Sequence, residues 1–175
     1  VTTHVALLRG INVGTAKRVA MPALRELATR LGYADVATHI NSGNLLLTTD
    51  EDAVTLRRRL EQGIEQDFGL HADVVVRTTA ELAAALAACP FPEEDPSRVA
   101  IAFLAGPAPA DLAERLAAVA AEDEPVVVDG LDVHVHYGHG QADSRLALAF
   151  AGKLGVPATV RNLRTVTKLV GLARG

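Results

Sequence analysis

The sequence predicts an α+β fold in two subdomains, and three observations carry that prediction. The first half reads strand–helix–strand–strand–helix–strand, the second half repeats the order, and an acidic, proline-containing segment separates them. Val5–Leu8 is a short apolar run read as the first strand. A polar loop follows to Ala20, and Pro22 suits the first turn of a helix, where its missing N–H is no loss. Met21, Leu24, Leu27, Ala28 and Leu31 recur at helical spacing until Gly32 ends the pattern. Val36–Ile40 and Leu45–Thr49 are strands joined by Asn41-Ser42-Gly43-Asn44, residue types that tolerate the positive φ of a tight hairpin. Asp50 is placed to cap the next helix, with Leu56, Leu60, Ile64 and Phe68 as its buried stripe and Arg57, Arg58 and Arg59 facing mostly outward. Gly69 closes that helix, and Ala72–Arg77 is the fourth strand. This βαββαβ order is the ferredoxin-like arrangement.

A connecting helix runs from Thr79 to Cys89, where Pro90-Phe91-Pro92 stops it, and Glu93-Glu94-Asp95-Pro96-Ser97 is the linker. Val99–Leu104 is then a strand and Ala110–Ala121 a helix. Val126–Val128 and Asp132–His136 form a hairpin around Asp129-Gly130. Ser144–Leu154 reads as a helix, Thr159-Val160 as a short extension and Thr165–Ala173 as a final helix. No sequence repeat is evident, but the element order of the halves agrees. The expected subdomains are therefore residues 1–89, connecting helix included, and 96–175.

Composition narrows the classes. Of the 175 residues 49% are hydrophobic and 22% charged, as in an ordinary soluble globular protein, and the absence of Trp leaves an aliphatic core. One cysteine, Cys89, excludes an intrachain disulfide and a multi-thiolate metal site, which suits a reducing compartment. No apolar run approaches the roughly 20 residues of a membrane span, and no secretory signal opens the chain. A cytoplasmic protein with no membrane partner is expected.

The net charge of −4 is unevenly spread. Residues 1–25 hold Arg9, Lys17, Arg18 and Arg25 without an acid, and residues 153–175 hold Lys153, Arg161, Arg164, Lys168 and Arg174 without one. The stretch between has eight basic residues against all 21 acidic ones. Two basic ends on an acidic body suit a local anion-attracting surface, although solvated Lys and Arg give the same pattern.

Three polar segments interrupt the aliphatic sequence. Arg9-Gly10-Ile11-Asn12-Val13-Gly14 leaves the first strand, and its glycines would let backbone amides approach a ligand, with Arg9 and Lys17 supplying charge. It is neither a Walker loop nor a dinucleotide fingerprint, and a structural crossover held by Asn12 explains it equally well. Asn41-Ser42-Gly43-Asn44 is first of all a turn, though a turn can present Ser42 and Asn44 to a ligand. Arg161-Asn162-Leu163-Arg164-Thr165, with Lys168 beyond, precedes the last helix, where Asn162 or Thr165 could cap it or its free amides could hold an anion. His134, His136 and His139 have a spacing that could bring two imidazoles to one metal, but no acidic or thiolate ligand completes the set, so no metal site is assigned. Cys89 lies at a helix end with no dipole to activate it. No nucleophile elbow or paired-carboxylate motif stands out, and scarce aromatics argue against stacking single-stranded RNA.

Taken in order, Arg9–Gly14, Met21 with Leu24–Leu27, Leu31-Gly32-Tyr33, Ser42-Gly43-Asn44, Val76-Arg77, Pro90-Phe91, Ser144, Leu154-Gly155 and Thr159–Lys168 resemble the DUF1697 family of uncharacterised bacterial proteins. The resemblance spans nearly the whole chain. It departs at Asn41, where the family commonly has Gln, at Arg145, where Lys is usual, and at Leu163, where Trp is common. It implies two ferredoxin-like subdomains and no established activity, cofactor or catalytic residue.

The functional expectation is a protein that binds a small anionic ligand, phosphorylated or nucleotide-like, in a basic cleft between subdomains. Arg9, Lys17, Arg77, Arg161 and Lys168 would supply charge, and Asn12, Ser42, Asn44, Ser144, Asn162 and Thr165 would orient the ligand. The alternative is a nucleic-acid-binding or regulatory module that uses the basic ends to track phosphates, and a third reading is an interaction scaffold.

Overall fold

Strand β1, Thr2–Leu8, is apolar on both faces from Val5 to Leu8, where both faces are buried. The computed structural model describes residues 1–152 and 154–175. It is a mixed α+β structure with two four-stranded antiparallel sheets and six helices among the described residues. After β1 come α1 (Met21–Arg30), β2 (Ala34–His39), β3 (Asn44–Thr49), α2 (Ala53–Phe68), β4 (Val74–Thr78) and α3 (Thr79–Ala87). The second series is β5 (Val99–Leu104), α4 (Leu112–Val119), β6 (Val126–Asp129), β7 (Asp132–His136), α5 (Arg145–Ala151), β8 (Ala158–Asn162) and α6 (Leu163–Arg174). The chain divides into two compact units, residues 1–82 with 169–175, and residues 83–168.

The first sheet has the order β2-β3-β1-β4. One face, carrying Ala6, Leu8, Leu45, Leu47, Val74 and Val76, packs with Leu24, Leu27 and Ala28 of α1 and Leu56, Leu60 and Ile64 of α2. This is the stripe that helical spacing predicts. The opposite face buries Val5, Leu7, Leu46 and Val75 with the polar Asn44 and Arg77. Asp52, rather than the expected Asp50, caps α2: its carboxylate accepts from the Thr55 amide at 2.7 Å. Asp50 instead pairs with the terminal amine of Val1. Of the three consecutive arginines only Arg58 is exposed. Arg59 lies over the Tyr33 ring, donates to the Leu31 carbonyl at 2.9 Å and pairs with Glu51, which also accepts from the Tyr33 hydroxyl. Burial, aided by Glu51, pushes the Tyr33 hydroxyl up to about 12.

The second sheet has the order β6-β7-β5-β8. Its core face joins Ala100, Ala102, Leu104, Val133 and Val135 to Leu112 and Leu116 of α4 and Leu146 and Phe150 of α5. Helix α5 ends at Ala151, short of the expected Leu154, and Lys153 lies outside the described residues. Helix α6 starts at Leu163, two residues before the expected Thr165, so the polar Arg161-Asn162 pair closes β8.

The sheets share a register that the sequence conceals. Val5 lies between Leu46 and Arg77, and Ile101 lies between His134 and Arg161. Leu7 pairs with Asn44 and Val75, just as Phe103 pairs with Asp132 and Thr159. Each unit therefore places a buried arginine at the matching point of its last strand.

Candidate functional site

The two glycine-punctuated segments meet at one end of the first sheet. The Leu8 amide donates to the Gly43 carbonyl at 2.9 Å, and the Asn12 Nδ2 donates to the carbonyls of Val19 and Asn41, each at 2.8 Å. Asn12 Oδ1 accepts from the Val19 amide, and the Asn12 amide donates to the Lys17 carbonyl. One side chain thus closes the 12–19 loop on itself and ties it to the 41–44 turn. Contact between them is close: a Cβ on Gly43 would stand 2.8 Å from both Leu8 Cβ and Ile11 Cδ1, at a φ of +83°.

This pair of loops is strained. Among the described residues four non-glycines have positive φ, and Asn12, Lys17 and Ile40 are three of them. For β-branched Ile40 at φ +51° the conformation is unfavourable, and the side chain gains little burial in return, being 54% exposed. Val13, at the loop tip, is 69% exposed. Strain of this kind concentrates where a site is held in shape.

Around this end Arg9 is half-buried and its amide donates to the Asp73 carbonyl at 2.9 Å. Lys17 is exposed, its Nζ donating to the His71 carbonyl at 3.2 Å. Ser42 Oγ accepts from Asn44 Nδ2, which also donates to the His39 carbonyl. Asn44 is wholly buried. Arg77 is on the same sheet but inside it, its Nη1 donating to the Val76 carbonyl at 3.2 Å. Arg9, Asn12, Lys17, Ser42 and Asn44 are thereby gathered in one unit, with the buried Arg77 across β1.

The C-terminal residues belong to the other unit. Arg161 is buried, donates to Thr159 Oγ1 at 2.7 Å and to the Val160 carbonyl at 3.0 Å, and burial lowers its pKa to about 10. Asn162 Oδ1 accepts from the Thr165 amide, a side-chain cap at the start of α6. Lys168 is exposed. Ser144 caps α5 by accepting from the Ala147 amide at 3.1 Å. Helix α5 covers the core face of the second sheet, whereas Arg161, in register with Ile101, is on the opposite face; the structure does not bring Ser144 and Arg161 together.

The histidines diverge as well. His136 is 3.5 Å from Glu94 and stacks at a tilt near Phe91, and His139 pairs with Asp123. His134 is 1% exposed, with no hydrogen-bond partner on either ring nitrogen, and burial lowers its pKa against the opposing pull of Asp132 and Asp129. Two features had no sequence signal: the positive φ of Ile40 and the Tyr33–Glu51–Arg59 cluster, whose members come from three separate segments.

Duplicated four-stranded sheets with paired helices, and no helix long and apolar enough to cross a membrane among the described residues, define a two-unit α+β protein. The chain belongs to DUF1697, a family of proteins of unknown function, whose family model matches residues 1–134. Among solved structures it is similar to a conserved bacterial protein from Streptococcus pneumoniae, with a TM-score of 0.80 and 23% identity over 98% of each chain. That likeness establishes the fold. No curated protein matches the chain.

Proposed function

We propose that the protein binds a small anionic ligand, phosphorylated or nucleotide-like, at the joined loops of the first unit. The observation that carries this reading is the Asn12 latch, which holds two strained loops together beside Arg9 and Lys17. Arg9 and Lys17 supply charge, Ser42 and the loop amides near Gly10 and Gly14 orient the ligand, and Asn12 and Asn44 keep the loops in place. Arg77 backs the site from within the sheet. Arg161, Asn162, Thr165, Ser144 and Lys168 belong to the other unit and are not assigned to this site.

A thermal-shift screen against nucleotides, sugar phosphates and organic acids tests this. A ligand at 100 times its Kd should stabilise the fold by about 2.7 kcal/mol, and Arg9→Ala with Lys17→Ala should abolish the shift. Absence of any anion-dependent shift, or an unchanged one in the double variant, sinks the reading. An oligonucleotide spread over many cations would lose affinity steeply with salt, which a ligand held by two cations would not.

We also propose that the halves 1–89 and 96–175 are ferredoxin-like repeats. The βαββαβ order and the matching sheet orders support it. A bacterial, cytoplasmic setting is proposed with them, supported by the buried free thiol of Cys89.

A further inference from the structure

We propose that strand β6 is a docking edge for an extended basic peptide, which adds to the second sheet as a further antiparallel strand. A sheet edge presents unpaired backbone N–H and C=O groups, and proteins protect such edges by bulging or covering them. Four strands here are edges: β2 and β4 in the first sheet, β6 and β8 in the second. Strands β4 and β8 are buried along most of their length. Strand β2 is exposed but irregular, because its register shifts between Ala34 and Ala37 and Asp35 has a φ of +50°. Strand β6 has neither protection. It pairs with β7 without a shift from Val126 to Asp129, and Val127 and Asp129 are exposed.

The outward-facing groups follow from the register. Strands β6 and β7 are joined by the two-residue loop Gly130-Leu131, with Gly130 at a φ of +60°, so Asp129 and Asp132 form the last hydrogen-bonded pair. At the other end the Pro125 carbonyl accepts from the His136 amide at 3.1 Å. Antiparallel bonding alternates, so residues 125, 127 and 129 face β7, and the amides and carbonyls of Val126 and Val128 face outward. Among the described residues no backbone hydrogen bond from outside the ladder reaches either valine. They offer alternating donors and acceptors at the spacing that an added antiparallel strand uses.

Side chains and charge select the occupant. Val126 and Val128 pack towards the core, which puts Val127 and Asp129 together on the other face, where Val127 is 41% exposed. Between Arg115 and Arg145 the chain has six acidic residues and no Lys or Arg. A second copy paired about Val127 would bring this acidic stretch against itself, Asp129 lying opposite Pro125 and beside Glu124. A basic strand meets opposite charge instead. In antiparallel pairing the residue opposite Asp129 comes two before the residue opposite Val127. The recognised pattern is therefore Lys or Arg, any residue, then Val or Ile.

The test uses the whole chain and a fluorescently labelled hexapeptide, Thr-Arg-Thr-Val-Thr-Lys, followed by anisotropy and by amide-resolved NMR. Saturable binding is expected, with hydrogen-exchange protection gained at the Val126 and Val128 amides. Methylating the peptide nitrogens of its second and third threonines, which stand opposite Val128 and Val126, should abolish binding. Val127→Lys changes an exposed side chain, so it should leave the fold intact and weaken binding at least about tenfold. Asp129→Asn should weaken it roughly threefold to tenfold. No saturable binding, or equal binding of the N-methylated peptide or of one with Glu in place of Arg and Lys, overturns the proposal. So does a concentration-dependent dimer in sedimentation that Val127→Lys dissolves, which would give the edge to a second copy. Because the anion site is in the other unit and read by other probes, either reading can fail alone.

Discussion

At the scale of single residues, Asn12 and His134 show opposite uses of a polar side chain. Asn12 donates two hydrogen bonds and accepts one, all with backbone, and sits at a φ its residue type tolerates. Asn12→Asp keeps the acceptor and loses both donations, so it should cost about 1–3 kcal/mol at about 1 kcal/mol per bond, visible as a lower urea midpoint. A variant as stable as the parent would show that the loops need no latch. His134 is buried with neither nitrogen bonded, in the place that Leu46 fills in the first unit. Its folded pKa lies below the unfolded value of 6.5, so the neutral ring is what the fold accepts. This contribution is whole above pH 6.5 and is lost as pH falls towards the folded pKa, because the unfolded chain takes up a proton that the folded one resists. Asp132 and Asp129 oppose the shift without reversing it. His134→Leu should therefore flatten the fall in melting temperature between about pH 7 and pH 5, and raise stability at neutral pH by on the order of 1 kcal/mol. An identical pH profile in the two proteins would remove His134 as the cause.

At the scale of elements, regular structure was legible wherever one periodicity dominated. The stripe Leu56, Leu60 and Ile64 announces α2, and the Asn-Ser-Gly-Asn run announces the β2–β3 turn. Ends were less legible, because neighbouring polar residues compete for the same cap: Asp50 and Asp52 are chemically alike, and it is Asp52 that accepts from the Thr55 amide. The candidate site was half legible. Arg9, Lys17 and Ser42 stand out by type, but the latch joining their loops is a contact between Asn12 and Asn41, distant in sequence, and no local pattern encodes it. The turn itself rests on Gly43. A side chain there meets both an unfavourable φ and the Leu8 and Ile11 side chains, so Gly43→Ala should destabilise by about 2–4 kcal/mol, from backbone strain and overpacking together. Ile40 offers the reverse case. Ile40→Gly relieves a strained conformation at little loss of buried surface, and a gain of up to about 1 kcal/mol is expected in chemical denaturation. If that variant gains stability but loses the anion-dependent thermal shift, the strain serves the ligand.

At the scale of the whole molecule, the division of the chain differs from its linear order. The first compact unit is completed by residues 169–175, the last part of α6, so the sequence's final residues belong with its first. Hydrophobic periodicity along the chain could mark α6 as a helix but could not say which unit counts its end, since Leu169 and Val170 are apolar residues that either core could take up. Both are buried, at 0% and 5% exposure. Burying an aliphatic side chain of this size contributes about 1.5–3 kcal/mol, against a total stability of about 5–15 kcal/mol for a typical domain. A chain ending at Lys168 should therefore lose most of its cooperative melting, with amide-exchange protection falling first in β1 and β4, the central and edge strands of the unit left incomplete. A chain ending at Leu172 keeps both buried residues and loses only the half-buried Ala173 and the exposed Arg174 and Gly175, so it should melt within about 0.5 kcal/mol of the parent. Fragment 1–89 alone lacks the same segment and should behave like the longer truncation, although its own strands and helices are all present. Equal melting of the Lys168 and Leu172 truncations would mean that the final turns of α6 are not required by the unit that counts them.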